Sequence, residues 1–265
     1  MPGEPVTVAE TSLPGFYGKF PELGDFVNRR IPRSFLDHWD EWLQNAIATS
    51  RQQLDHEWLD LYLGSPVWRF ILSGGLCGEQ PWCGLLMPSV DRVGRYFPLT
   101  IAAPLPLDAN LMQVAVEAGG WFDAAENVIL GALDEQNFNL DNFDHQVASL
   151  GELTQLAHAG AASTQAGFGS AWQIPLDQDA RLSTALPGVM HQLILQRLGA
   201  YSLWWGSGSE HVQPSLLIAA GMPPAPDFGA MLSGNWTQSA WEQWPLPVPG
   251  AALPDDDLAL GEPGL

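Results

Sequence analysis

The sequence predicts an α+β fold: a single domain in which an antiparallel β-sheet is flanked by α-helices, a layered α/β/α sandwich. Three observations carry the prediction. Phe35, Trp39, Leu43 and Ile47 recur every four residues with Asp37, Asp40, Glu41 and Gln44 between them, the signature of an amphipathic helix. Short apolar runs, each stopped by proline or glycine, read as strands. Further helix-like segments fill the middle of the chain. With 265 residues, 46% of them hydrophobic, there is ample material for a buried core.

Residues 1–14 read as a loose leader. Phe16 to Pro21 is a short strand stopped by its proline. Pro32 sits where a first helical turn would begin, because its missing N–H costs nothing there, and it opens the amphipathic helix of about 18 residues. Strands are expected at Pro66–Leu72, Trp82–Met87 and Phe97–Ala103. Leu111–Val116 and Trp121–Leu133 are helix-like, divided by Gly119-Gly120. A further helix is expected at Phe143–Ala157, with acids at its start where the dipole favours them. Ala159–Gly169 is small and polar and reads as a loop, and Trp172–Pro175 as a short strand. Met190–Leu198 is a helix ended by Gly199. Ser202–Trp205 and Ser215–Ala219 are two more strands around a glycine-rich turn. The domain is expected over residues 15–235, followed by a proline-rich acidic tail over 236–265.

Charge narrows the function classes. The chain has 10 basic against 30 acidic residues, a net charge of −20. Nucleic-acid binding and adsorption to an anionic membrane are disfavoured. Eight of the ten basic residues lie in the first 95, so a basic or mixed-charge partner site is expected there. No apolar stretch is long enough to span a membrane, and the first 12 residues lack the basic and apolar regions of a signal peptide. Cys77 and Cys83 form neither a disulfide framework nor a redox motif and read as packed thiols, consistent with a cytoplasmic protein.

Catalytic templates fail. Gly206-Ser207-Gly208-Ser209 has the wrong order for a nucleophile elbow, and the six histidines show no metal-ligand spacing. No catalytic residue, metal site or cofactor is expected. The informative stretch is Met87 to Pro98, which places Asp91, Arg92 and Arg95 in one loop. A positioned guanidinium pair suits a partner's carboxylate or phosphate. The competing reading is structural: Asp91 fixes an arginine and so holds the loop. Arg69 adds a third guanidinium that can point the same way. Lys19 and Asp25 lie in a turn-rich pair of motifs, and Trp205 and Glu210 flank the glycine-rich turn. These eight (Lys19, Asp25, Arg69, Asp91, Arg92, Arg95, Trp205 and Glu210) are the partner-binding candidates.

Three ordered blocks resemble the TagF family, also called ImpM, accessory proteins of bacterial type VI secretion systems. The first runs from Gly15-Phe16-Tyr17-Gly18-Lys19-Phe20-Pro21 through Gly24-Asp25-Phe26-Val27 to Pro32-Arg33-Ser34-Phe35 and Trp39-Asp40 with Trp42-Leu43. The second comprises Trp68-Arg69-Phe70, Gly75-Leu76-Cys77-Gly78, Trp82-Cys83-Gly84 and Met87 to Leu99. The third is Ser202-Leu203-Trp204-Trp205 with Gly208-Ser209-Glu210 and Phe228 to Leu232. Glu22-Leu23 departs from the family pattern, and the tail from Trp236 lies outside it. The resemblance implies regulation rather than catalysis: a cytoplasmic post-translational repressor of secretion that works through the forkhead-associated scaffold protein of the apparatus. The alternative is an enzyme or sensor acting on a phosphorylated ligand through Arg69, Asp91, Arg92 and Arg95. Partner binding predicts an open face, and an enzyme a closed pocket with converging polar groups.

Overall fold

Seven antiparallel strands in the order β2-β1-β5-β4-β3-β6-β7 form one sheet in the computed structural model, which describes residues 12–134, 137–153, 173–174 and 182–245. The strands are β1 (Gly15–Gly18), β2 (Val27–Arg29), β3 (Trp68–Leu72), β4 (Trp82–Met87), β5 (Leu99–Pro104), β6 (Tyr201–Gly206) and β7 (Ser215–Ala220). The helices are α1 (Arg33–Leu54), α2 (Trp58–Leu63), α3 (Leu111–Glu117), α4 (Gly119–Gly131), α5 (Leu140–Ser149), α6 (Leu182–Leu198) and α7 (Phe228–Ser233).

The two-residue alternation of the strands divides the core into two layers. Phe70, Leu72, Trp82, Leu86, Ala102 and Trp204 face α1 and α7, meeting Phe35, Trp39, Leu43, Phe228 and Met231. Ile71, Cys83, Leu85, Ile101 and Leu203 face the opposite way, meeting Val114 of α3, Phe122 and Ile129 of α4, and Phe143 and Val147 of α5. A sheet covered on both faces explains why central β4 is buried at every position and reads as a continuous apolar run. Trp39 is fully buried, and its indole N–H donates to Thr100 Oγ1 at 3.0 Å, so the polar tip of the largest core residue is satisfied.

Several expected elements move. α1 is longer than expected, with Pro32 as its N-cap residue rather than inside its first turn. α5 starts earlier, where the Asn139 side chain accepts from the Asn142 N–H at 2.8 Å, and it ends at Ser149 instead of Ala157. α6 begins at Leu182 and runs through Pro187, because packing on α3 and β6 outweighs the cost of the missing donor. It ends where expected: Gly199 adopts φ +70° and donates to Leu195 O at 2.8 Å. Gln173 and Ile174 form no strand and are exposed, so the short strand expected at Trp172–Pro175 is absent from its described part. The expected loop at Ala159–Gly169, most of the leader, and the tail beyond Pro245 lie outside the described residues. Trp236 and Trp241 pack against the α1-side core, and the Trp241 indole donates to Asp227 O at 3.2 Å.

Candidate interaction surface at one end of the sheet

The register brings the sequence-distant motifs together. Gly18 pairs Val27, Met87 pairs Leu99, Arg69 pairs Trp205 and Gly206 pairs Ser215. The β1–β2 connection, the β4–β5 loop and the β6–β7 turn therefore emerge at the same end of the sheet. Strand order sets the first two side by side, because β5 lies between β1 and β4. Lys19, Asp25, Asp91, Arg92, Arg95 and Glu210 all sit on these three connections.

The β4–β5 loop is built around Asp91. Its side chain is fully buried and accepts from Lys19 Nζ at 2.7 Å and Arg95 Nε at 2.6 Å through Oδ2. Oδ1 accepts the backbone N–H groups of Val93 at 3.0 Å and Arg95 at 2.8 Å. The loop closes on itself between Asp91 N–H and Arg95 O at 3.0 Å, and Gly94 makes the reversal at φ +83°. Two further ties lock it to its surroundings. Arg92 N–H donates to Leu23 O at 3.0 Å, and the Arg95 guanidinium donates to Gly24 O. Ser89 is buried, donating through Oγ to Lys19 O at 2.7 Å, while Tyr62 of α2 donates its hydroxyl to Ser89 O at 2.9 Å and accepts from Ser89 N–H at 3.0 Å. Arg51 stacks on Trp58, whose ring lies against Tyr62 and Tyr96, so α1, α2 and the loop form one block.

Burial by itself would raise the pKa of Asp91. The Lys19 ammonium, Arg95 and the two backbone donors outweigh it and hold the carboxyl well below the usual carboxylate range. A depressed native pKa contributes stability that is present above the unfolded value, about 3.9, and is lost as pH falls below it. Asp91→Asn should therefore melt below wild type at neutral pH, and the gap should close as pH drops below about 4. Melting curves of the two proteins across that range check this; a gap independent of pH would mean that the carboxylate charge is not what holds the loop.

Of the eight candidates, Lys19 and Asp91 are thus spent on each other beneath the surface, and Arg95, although its side chain is 57% exposed, belongs to the same clamp. The Lys19 Nζ also lies 4.8 Å from the centre of the Phe26 ring, which stacks on Tyr17. Arg92 is exposed, with no ion-pair partner among the described residues, beside Val93, which is 66% exposed. Asp25 is exposed, and its Oδ1 accepts the Phe26 N–H at 2.9 Å. Glu210 is exposed in the β6–β7 turn. Arg69 turns onto the other layer, where its guanidinium reaches Glu126 at 2.6 Å and Asp123 at 2.7 Å on α4. Arg69, Asp91, Arg92 and Arg95 therefore do not converge on one ligand position. Trp205 is half-buried, edge to face with Phe122 at 4.8 Å, and Trp204 is fully buried against Trp39, so neither indole is an open anchor.

The family description "TagF N-terminal domain, Type VI secretion system-associated" matches residues 15–150, the half that holds β1 to β5 and the Asp91 loop. The chain belongs to the TagF family. Among solved structures, that of PA0076 from Pseudomonas aeruginosa PAO1 is similar at 34% identity with a TM-score of 0.69, covering 89% of this chain and 98% of that one. No curated protein matches the chain at a significant level. The family resemblance read from the sequence is thereby shown, and the protein is a type VI secretion-associated accessory protein.

The TagF sheet end differs from a ligand pocket. An open depression of about 450 Å³ lies on the outer face of α1, lined by Asp37, Asp40 and Glu41 together with Tyr17, whose hydroxyl donates to Asp40 Oδ1 at 2.7 Å. Three carboxylates against the single guanidinium of Arg33 make it a poor seat for a phosphate. Among the described residues no group of His, Cys, Asp or Glu is arranged to hold a metal ion, and no helix is long and apolar enough to cross a membrane. Burial pushes the Cys77 thiol up to about 12, which makes it a weak nucleophile. Sequence reasoning missed Tyr62 and Ser89, which fasten the loop to α2. Ser89 stood inside the motif, but Tyr62 lies on a helix too short to show a period.

Proposed function

We propose that this TagF-family protein is a non-enzymatic cytoplasmic regulator of type VI secretion, a post-translational repressor that acts by binding the forkhead-associated scaffold protein of the apparatus. The observation that supports this reading is the assembly of family motifs at one sheet end around a clamped loop. The buried Lys19–Asp91–Arg95 network keeps its own charges inside, while the same rigid loop presents Arg92 and Val93 outward. Preorganisation of this kind lowers the ordering cost of binding. A guanidinium fork held on a stiff loop suits carboxylate or phosphate groups of a protein partner.

Arg92 is the residue to test. Arg92→Ala should leave stability within about 0.5 kcal/mol, as for exposed side chains generally, and weaken scaffold binding about tenfold. Calorimetric titration of the purified scaffold with wild type and variant measures the binding, and a thermal melt the stability. Equal affinities would remove the loop from the interface.

A further inference from the structure

The two edges of the sheet are unlike. β2 is three residues long, carries Arg29 and leads into Arg30, which is paired to Asp144 at 2.6 Å, so this edge is short and charged. Natural sheets protect exposed edges in this way. β7 has none of these guards. Ser215–Ala220 reads Ser-Leu-Leu-Ile-Ala-Ala, and no charged side chain occurs from Val212 to Pro226 in a chain of net charge −20.

The pairing with β6 fixes which groups β7 leaves open. Gly221 N–H donates to Ala200 O, so the alternate residues Ala219, Leu217 and Ser215 bond inward to β6. The backbone N–H and C=O of Leu216, Ile218 and Ala220 consequently point away from β6, and no described residue pairs with them. The side chains of Leu216 and Ile218 are 62% and 40% exposed. They lie on the face that carries α6, where Leu186 and Met190 are also exposed.

The geometry points to a second copy of this chain as the occupant: β7 pairs antiparallel with β7 across a twofold axis through Ile218. An antiparallel strand pair is self-complementary, so one patch serves both copies and the assembly closes at two. Leu216 then faces Ala220 of the second copy, and all three open residues gain partners. The axis is perpendicular to the sheet, so the exposed Leu216 and Ile218 side chains of both copies meet on one face. Charge decides between occupants. Two chains of −20 repel at most surfaces, and a contact between copies is favoured where neither presents an acid. The β7 edge meets that requirement, whereas a charged partner strand would find nothing there to pair with.

The test uses the full chain. Sedimentation equilibrium from low to high micromolar concentration should show a monomer–dimer equilibrium, and Leu216→Lys with Ile218→Lys should weaken it at least tenfold while the melting temperature of the dilute protein is unchanged. Directly opposed residues of this type lie about 5.5 Å apart at Cα, within disulfide range. Ile218→Cys should therefore form a covalent dimer on mild oxidation, and Glu210→Cys should not. A chain that is monomeric throughout the range overturns the proposal and leaves the edge to another protein's strand. A dimer that survives the lysines, or that cross-links equally through residue 210, overturns it as well.

Discussion

Replacing Trp39 with alanine is expected to cost about 3–5 kcal/mol, the range for removing a large aromatic side chain from a core. Trp39 is the hub of the α1-side layer. Its ring lies 5.2 Å from Phe35, 4.7 Å from Phe70 and 6.1 Å from Trp204, so one deletion opens a void between helix and sheet. It also leaves the buried Thr100 hydroxyl without its indole partner. Denaturant titration is the measurement: the midpoint should fall while the slope is retained, since the surface exposed on unfolding barely changes. Trp39→Phe should recover part of the loss. A wild-type midpoint for the alanine variant would mean that α1 does not rest on the sheet through this stripe.

Lys19→Met is the second large effect, about 3 kcal/mol. Methionine keeps most of the apolar stem, so the loss isolates the charge. Breaking a buried ion pair leaves the other ion without compensation, which costs more than the pair contributes when intact. Arg95 and two backbone donors still hold Asp91, which places the effect at the low end of the usual range. The double replacement of Lys19 by Met and Asp91 by Asn should cost less than the two single changes added together, because it removes both charges at once. Additive losses would show that the two groups do not interact energetically.

How much of this was readable from the sequence differs by element. α1 was legible because its stripe keeps helical spacing from Phe35 to Ile47, and β4 because Pro81 and Pro88 bracket a continuous apolar run. The helices α2 and α7 were not. Trp58–Leu63 and Phe228–Ser233 are too short to display a period, and their helicity comes from packing against α1. β2 is three residues of no strand character and exists because β1 offers it an edge.

The site divides in the same way. Asp91 as an internal clamp was one of two readings available from local spacing, and the structure realises it. Its lysine partner lies 72 residues away, and only the placement of β1, β5 and β4 side by side brings the two together. The direction of Arg69 was equally invisible: strand alternation sends it to the α4 layer, where Asp123 and Glu126 wait. Local sequence thus identified the loop, and topology determined which of its charges are buried in the clamp and which stay at the surface.

Repression by binding through this sheet end, as proposed, has its plainest readout in secretion itself. Overproduction of the chain in a bacterium with an active type VI apparatus should sharply lower export of the secreted tube protein while its cellular amount stays constant, and Arg92→Ala produced to the same level should restore export. Export unchanged by the wild-type chain, or a parallel fall in the cellular pool, would contradict post-translational repression; an Arg92→Ala variant that represses as strongly as wild type would contradict the sheet end as the place where it acts.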